Sequence, residues 1–298
     1  MSVHSQEEPR RVLPPDLARF KTEGRRVTMV TAYDYPSGQL ADQAGVDVVL
    51  VGDSAAMVVL GYESTVPVTV DELLVLTAAA RRGAPRPLLV GDLPFGSYHA
   101  SHEDAMRTAI RFVKEAGVDA VKLEGAGPMV ERIRRMVDAG VPVMGHLGLT
   151  PQTAAALGGF KAQARTAERA ATLLGDALLL EEAGCFAVVL EAVPAAVAQI
   201  VSERMTIPTI GIGAGAGTDG QVLVWHDMFG LFDRFTPKFV KRYGELRPAY
   251  LDGLRAYVDD VRSGAFPGPE HSFTMKVEEL ETFRRLVRPA IPTEGAGL

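Results

Sequence analysis

The stretch Val118-Asp-Ala-Val-Lys-Leu-Glu124 decides how the rest of the chain is read. Its apolar residues predict a short buried strand. Side chains of a strand alternate between faces, so Lys122 and Glu124 point the same way, and Asp119 stands at the opposite, exposed end. Packing does not explain a lysine and a carboxylate on one side of an apolar strand, because unpaired buried charge is costly. Four other apolar runs finish in the same manner: VVLVGD on Asp53, PLLVGD on Asp92, VPVMGH on His146 and FAVVLE on Glu191. Ionisable groups gathered at strand ends are the layout of a parallel α/β barrel, whose active site is assembled there.

Outward from these strands, helix-sized segments fill the intervals. Pro14-Pro15-Asp16 predicts a short helix with Leu17 and Phe20, placed to plug the bottom of a barrel. Val27 to Tyr33 reads as the first strand, and Thr69-Val-Asp-Glu72 has capping-box spacing at a helix start. Ser101 caps a further helix, with His99 and His102 expected to be exposed. Thr209 to Gly213 reads as the seventh strand, with the eighth expected near Leu231 and a helix over 239–261. Continuously apolar strands fit a parallel sheet covered by helices. The expected fold is a (β/α)8 TIM barrel over residues 12–273, with a doubly wound sheet as the alternative. Residues 1–11 read as a flexible tail and 274–298 as a C-terminal extension carrying an apolar helical stripe.

With 298 residues the chain is long enough for one such barrel. A net charge of −6 and the lack of any Lys/Arg block argue against a nucleic-acid surface. The N-terminus has no apolar signal region, and no run approaches the ~20 apolar residues of a membrane span, so a cytoplasmic location is expected. The one cysteine, Cys185, excludes a disulfide framework and a cysteine-rich zinc site, and it reads as a buried structural thiol.

Asp53, Asp92 and Glu124 come from consecutive strand ends. Three converging carboxylates repel unless a cation lies among them, and an all-oxygen set points to Mg²⁺ or a relative, which prefers one or two direct carboxylates. Asp53 and Asp92 are expected as direct ligands and Glu124 through water. The competing explanation is that each caps the following helix. Lys122 suits the carboxylate of an anionic substrate, or else a structural ion pair. Glu191, at an apolar strand end, is a candidate base. His146 would hydrogen-bond substrate, shuttle a proton or serve structure alone. Gly215-Ala-Gly217-Thr-Asp-Gly220 matches GxGxxG formally but follows the wrong strand for a dinucleotide site. The small, basic stretch 158–165 reads as a lid over an anionic substrate or a solvated linker. These readings describe a metal-assisted enzyme acting on a small 2-oxo acid through a stabilised enolate.

From about Phe20 to Phe273 the chain closely resembles the ketopantoate hydroxymethyltransferase (3-methyl-2-oxobutanoate hydroxymethyltransferase) family. The matching segments include VTMVTAYDYP, VVLVGDSAAMVVLGYESTVPVTVDE, AVKLEG, VPVMGHLGLTPQ, FAVVLEAVP and IPTIGIGAGAGTDGQVLVWHDMFG. The resemblance implies a barrel of the phosphoenolpyruvate/pyruvate superfamily and a Mg²⁺ site at Asp53, Asp92 and Glu124. It implies 2-oxoisovalerate contacts from Asp53, Ser54, Asp92 and Lys122, a catalytic carboxylate at Glu191 and the active-site histidine at His146. It also implies 5,10-methylenetetrahydrofolate as co-substrate and a homodecamer of two pentameric rings. The family often has glycine where this chain has Ala164. The rival readings are a Mg²⁺-dependent carbon–carbon lyase or mutase of the same superfamily, for which no loop cysteine is present, and a non-catalytic assembly protein.

Overall fold

Each apolar run becomes a parallel strand, and the segments between them become helices. The structure, a computed structural model, describes residues 10–287. The expected tail over residues 1–11 therefore falls mostly outside the described residues, as does the end of the expected extension. By its internal contacts the chain divides into two compact units, Met1–Glu245 and Leu246–Leu298.

In the first unit α1 (Pro14–Thr22) precedes β1 (Val27–Thr31), followed by α2 (Tyr35–Gln43), β2 (Val48–Val51) and the short α3 (Ala55–Val58). Then come α4 (Val70–Gly83), β3 (Leu88–Asp92), α5 (His102–Arg111) with a π-helical turn over Phe112–Ala116, and β4 (Ala120–Glu124). Next are α6 (Pro128–Asp138), β5 (Val143–Gly148), α7 (Ala167–Glu182), β6 (Ala187–Glu191) and α8 (Ala195–Arg204). The unit continues through β7 (Thr209–Ile212), β8 (Gly220–Leu223) and α9 (Trp225–Met228). The eight strands close in sequence order, β8 pairing in parallel with β1. The expected capping box is formed: Thr69 Oγ1 accepts from Glu72 N at 3.2 Å, and Glu72 Oε2 accepts from Thr69 N at 2.8 Å.

Strand parity sorts the core into two layers. Val27, Met29, Val48, Leu50, Leu88, Val90, Ala120, Met144, Ala187 and Val189 face the barrel interior. Their neighbours Val49, Val51, Leu89, Val121, Leu123 and Val188 face the helices. Leu17 and Phe20 of α1 belong to the inner group, so α1 does plug the barrel floor. It is tied there by Lys21, whose Nζ donates to Ser202 O (2.8 Å), Ile207 O (3.0 Å) and Asp219 Oδ2 (2.9 Å). Arg25 lies over the Phe20 ring at 3.7 Å and pairs with Asp47. Asp119 completes this face, accepting from Arg81 and from Leu89 N at 2.9 Å.

Three expectations are corrected. The eighth strand is Gly220–Leu223, not a segment near Leu231. Residues 213–219 cross from β7 to β8 with no helix between, and Gly215 (φ +78) passes so close to α8 that a Cβ would lie 2.4 Å from Ala195 Cβ. The glycine run thus serves close packing. The last long helix is α10 (Leu246–Ser263), starting later than expected. His99 is half-buried between the Phe95 and Tyr98 rings, at 4.7 and 4.1 Å, while His102 is exposed.

The second unit holds α10 and α11 (Val277–Leu286). Tyr250, Leu254, Tyr257 and Val261 form an exposed apolar stripe on α10. Among the described residues no helix is long and apolar enough to cross a membrane.

Phe20→Ala is expected to destabilise the chain by about 4 kcal/mol, the usual loss for a buried phenylalanine. Leu178→Ala, at an exposed site on α7, is expected to cost under about 0.5 kcal/mol. Urea unfolding measures both, and equal midpoints would show that α1 is no part of the core.

Candidate active site

Parity places the ionisable strand ends in one cavity of about 680 Å³ at the C-terminal mouth of the barrel. Asp53, Ser54, Asp92, Lys122, Glu124, His146 and Glu191 all line it. Every site residue expected from the sequence is therefore brought together. None of the three carboxylates is a helix cap: α3 is preceded by Ser54, α5 is capped by Ser101 and α6 follows Gly127.

The floor is a network of short contacts. Lys122 Nζ lies 2.8 Å from Asp92 Oδ1 and 3.4 Å from His146 Nδ1. Asp92 Oδ2 accepts from Asp53 N at 3.1 Å. His146 spans two carboxylates, with Nδ1 3.4 Å from Glu124 Oε1 and Nε2 3.2 Å from Glu191 Oε2. Burial and the Lys122 charge oppose protonation of His146, but Glu124 and Glu191 outweigh them and lift it to about 9. The ring is then an imidazolium at neutral pH and forms ion pairs with both carboxylates. Burial alone would lower the Lys122 ammonium, yet the charges of Asp92, Glu124 and Asp53 hold it above its ordinary value. Burial, then Asp92 and Glu124, push Asp53 well above the carboxylate range.

Four acidic groups against one ammonium and one imidazolium leave an excess of negative charge in a buried place. Among the described residues no three His, Cys, Asp or Glu side chains stand in a ready-made metal cage. The donor set nevertheless fits a hard divalent cation that keeps most of its water: oxygen ligands only, from the buried carboxylates of Asp53, Asp92 and Glu124. Cys185 is buried away from this chemistry, its thiol pushed up to about 12 by burial.

Sequence reasoning missed three residues. Gln152 binds the site together: its Nε2 donates to Asp53 Oδ2 (3.0 Å) and Leu93 O (2.9 Å), and its backbone N donates to Glu124 Oε2 (3.1 Å). Its Oε1 accepts from the Tyr98 hydroxyl at 2.7 Å, and that oxygen accepts from Glu124 N. Tyr33 shares a hydrogen bond of 2.8 Å with Ser54 Oγ. Asp227, on α9 beyond β8, also lines the cavity. Gln152 sits in the quoted run VPVMGHLGLTPQ, but a glutamine after a proline carries no signal of its own.

The rim is set by the 158–165 loop. Phe160 and Lys161 line the cavity, and Gln163 N donates to Ala192 O at 2.9 Å. Ala164, where the family often has glycine, adopts φ +54, a left-handed conformation that glycine takes without strain. At Gly148 (φ +93) any Cβ would lie 2.2 Å from Glu191 O, so only glycine lets β5 pass the residue that carries the candidate base.

The fold and the site define a closed parallel (β/α)8 barrel with a carboxylate-lined mouth. The structure is similar to phosphoenolpyruvate phosphomutase from Streptomyces platensis subsp. rosaceus (TM-score 0.55, 16% identity, 91% of this chain and 99% of that one). It is also similar to 2,3-dimethylmalate lyase, itself a member of the phosphoenolpyruvate mutase/isocitrate lyase superfamily (TM-score 0.55, 15% identity, 92% and 94%). Within that class the chain belongs to the ketopantoate hydroxymethyltransferase family, which it matches over residues 11–269. Relatives named 3-methyl-2-oxobutanoate hydroxymethyltransferase include those of Moorella thermoacetica (57% identical, 88% of this chain and 98% of the relative) and Heliobacterium modesticaldum (53%, 90% and 98%). The chain is an enzyme of this hydroxymethyltransferase type.

Gln152→Leu is expected to cost about 2 kcal/mol, because it leaves the Tyr98 hydroxyl, Leu93 O and Asp53 short of a buried partner. Tyr98→Phe should cost less, about 1 kcal/mol. Chemical denaturation of both variants checks the order, and a Gln152→Leu protein as stable as wild type would show that the network does not hold the site.

Proposed function

We propose that this enzyme transfers a hydroxymethyl group from 5,10-methylenetetrahydrofolate to 3-methyl-2-oxobutanoate (2-oxoisovalerate), giving 2-dehydropantoate (ketopantoate) for pantothenate biosynthesis. The observation that carries it is the pairing, in one cavity, of the Lys122–Asp92–Asp53–Glu124 floor with a separate carboxylate, Glu191, held across from it through His146.

Asp53, Asp92 and Glu124 would hold Mg²⁺, which when bound polarises the keto acid and offsets negative charge developing on its oxygen. A neighbour by fold, phosphonopyruvate hydrolase, was solved with oxalate and Mg²⁺ (TM-score 0.56, 14% identity, 92% of this chain and 97% of that one). Lys122 binds the substrate carboxylate as a fixed positive charge, and Ser54, oriented by Tyr33, donates a hydrogen bond to the substrate. Glu191 accepts the proton from C3. His146 orients that carboxylate by its 3.2 Å contact and anchors it to Glu124 on the floor. Water adds to the donor's methylene carbon, both of its C–N bonds break, and tetrahydrofolate leaves with the protons; the C3 carbanion adds to the formaldehyde carbon so released, whose oxygen takes a proton and becomes the hydroxyl.

The same reading includes a cytoplasmic location and a homo-oligomer built as two pentameric rings. The exposed stripe of Tyr250, Leu254, Tyr257 and Val261 on α10 supports a surface covered by another copy.

Proton NMR in D₂O is expected to show metal-dependent deuterium exchange at C3 of 2-oxoisovalerate, removed by EDTA and restored by Mg²⁺. Glu191→Gln should slow it by about a hundredfold or more, the usual contribution of a general base. Exchange at the wild-type rate in that variant would place the base elsewhere. Failure to form ketopantoate with the folate donor present would overturn the transfer reading.

A further inference from the structure

The cavity is too large for its keto acid. At about 680 Å³ it exceeds what a five-carbon acid on the Lys122 floor can fill. The remaining wall is aromatic and comes from the segment after β8: Phe232, Phe235 and Phe239. Phe232 and Phe235 meet edge to face, with centroids 5.6 Å apart. The segment is fixed, since Arg234 donates to Tyr62 O and Gly61 O at 2.9 Å each, and Tyr243 N donates to Met228 O at 2.7 Å. Trp225 N donates to Thr31 Oγ1 at 2.8 Å, which pins α9 to the end of β1.

One acidic side chain stands in this apolar wall. Asp227 lines the cavity half-buried, and its carboxylate makes no hydrogen bond or salt bridge with another described residue. Burial lifts it to about 6, with Arg242 drawing it partly back. A carboxylate so placed lacks the donors that would satisfy it. Its charge and that of Asp53 both act on the Tyr33 hydroxyl, so the acid lies within electrostatic reach of the keto-acid floor. Two exposed lysines, Lys161 and Lys238, line the same cavity.

We propose that Asp227, with Phe232, Phe235 and Phe239, forms the pterin subsite of the folate donor. The two oxygens of Asp227 accept the adjacent N3–H and 2-amino donors of the 2-amino-4-oxopyrimidine ring, a bidentate pairing that matches a planar carboxylate. The phenylalanines contact the faces and edges of the bicycle, and Lys161 and Lys238 meet the glutamate carboxylates of the tail. This assignment rests on the transfer reading above and adds to it the residue that selects the donor.

Calorimetry of the full chain with tetrahydrofolate and with its 2-desamino-2-methyl analogue tests it. Wild type should prefer tetrahydrofolate by at least about tenfold, since the analogue leaves one oxygen of the half-buried Asp227 unpaired. Asp227→Ala should lose at least about tenfold in tetrahydrofolate affinity and no longer distinguish the two ligands. In steady-state assays its KM for methylenetetrahydrofolate should rise while its KM for 2-oxoisovalerate stays within about twofold. Wild type binding both ligands alike, or Asp227→Ala binding tetrahydrofolate as wild type does, overturns the subsite. If the alanine variant melts early, Asp227→Asn and the wild-type ligand pair decide the matter. Tetrahydrofolate bound with the expected selectivity but no ketopantoate formed would sink the transfer reading and leave the subsite standing. Ketopantoate formed by wild type, with unchanged binding in the variants, would do the reverse.

Discussion

The contact between Lys122 and Asp92, 2.8 Å long inside a closed barrel, is what the rest of the structure has to accommodate. Neither group can leave for water, and neither is tolerable there alone. Each strand must therefore keep its parity. A slip of one residue in β4 would turn Lys122 and Glu124 into the helix layer and bring Val121 and Leu123 inward. The pairing Asp92↔Lys122 in the β3–β4 register, and Glu124↔His146 in β4–β5, keeps these groups on adjoining strands at the mouth. The shape of the site follows from the register of the sheet.

The two ends of the barrel treat charge differently. At the floor, Asp47, Asp119 and Asp219 each meet a cation and backbone donors, and they lock α1 and the strand starts in place. At the mouth the acids exceed the cations: Asp53, Asp92, Glu124 and Glu191 share Lys122 and His146. Pairing at one end supplies stability, and under-pairing at the other keeps binding capacity for a cation and an anionic substrate.

Legibility in the sequence followed the same division. The strands β2 to β6 are mostly apolar runs, β4 interrupted only by Lys122, and each has an ionisable residue at or next to its end, so the barrel and the floor of the site could be read directly. β8 could not be read in this way. Its four residues, Gly-Gln-Val-Leu, begin with glycine and expose Gln221, which gives neither a continuous apolar run nor a helix before it. Placing that strand too late hid Asp227, which would otherwise have stood out as one more strand-end acid. Gln152 was hidden for another reason: it acts through four hydrogen bonds to distant residues, and no local pattern encodes partners at Asp53, Leu93, Tyr98 and Glu124. The departure at Ala164 was visible as a residue, but its consequence, a left-handed backbone, needed the fold.

That left-handed residue has a counterpart. Among the described residues the non-glycine positions with positive φ are Ala164 and Ala192, and the bond from Gln163 N to Ala192 O places them side by side. Ala192 directly follows Glu191, whose own carbonyl accepts from Leu149 N. Backbone strain of this kind costs about 1–3 kcal/mol per residue and persists only where its surroundings fix it. Here it is fixed by the rim loop on one side and by β5 and β7 on the other, since Ala192 N donates to Ile212 O at 2.8 Å. The peptide that carries the candidate base is thus held by the loop that rims the cavity. The rim loop and the residue after Glu191 share one backbone hydrogen bond, next to the carboxylate that faces His146.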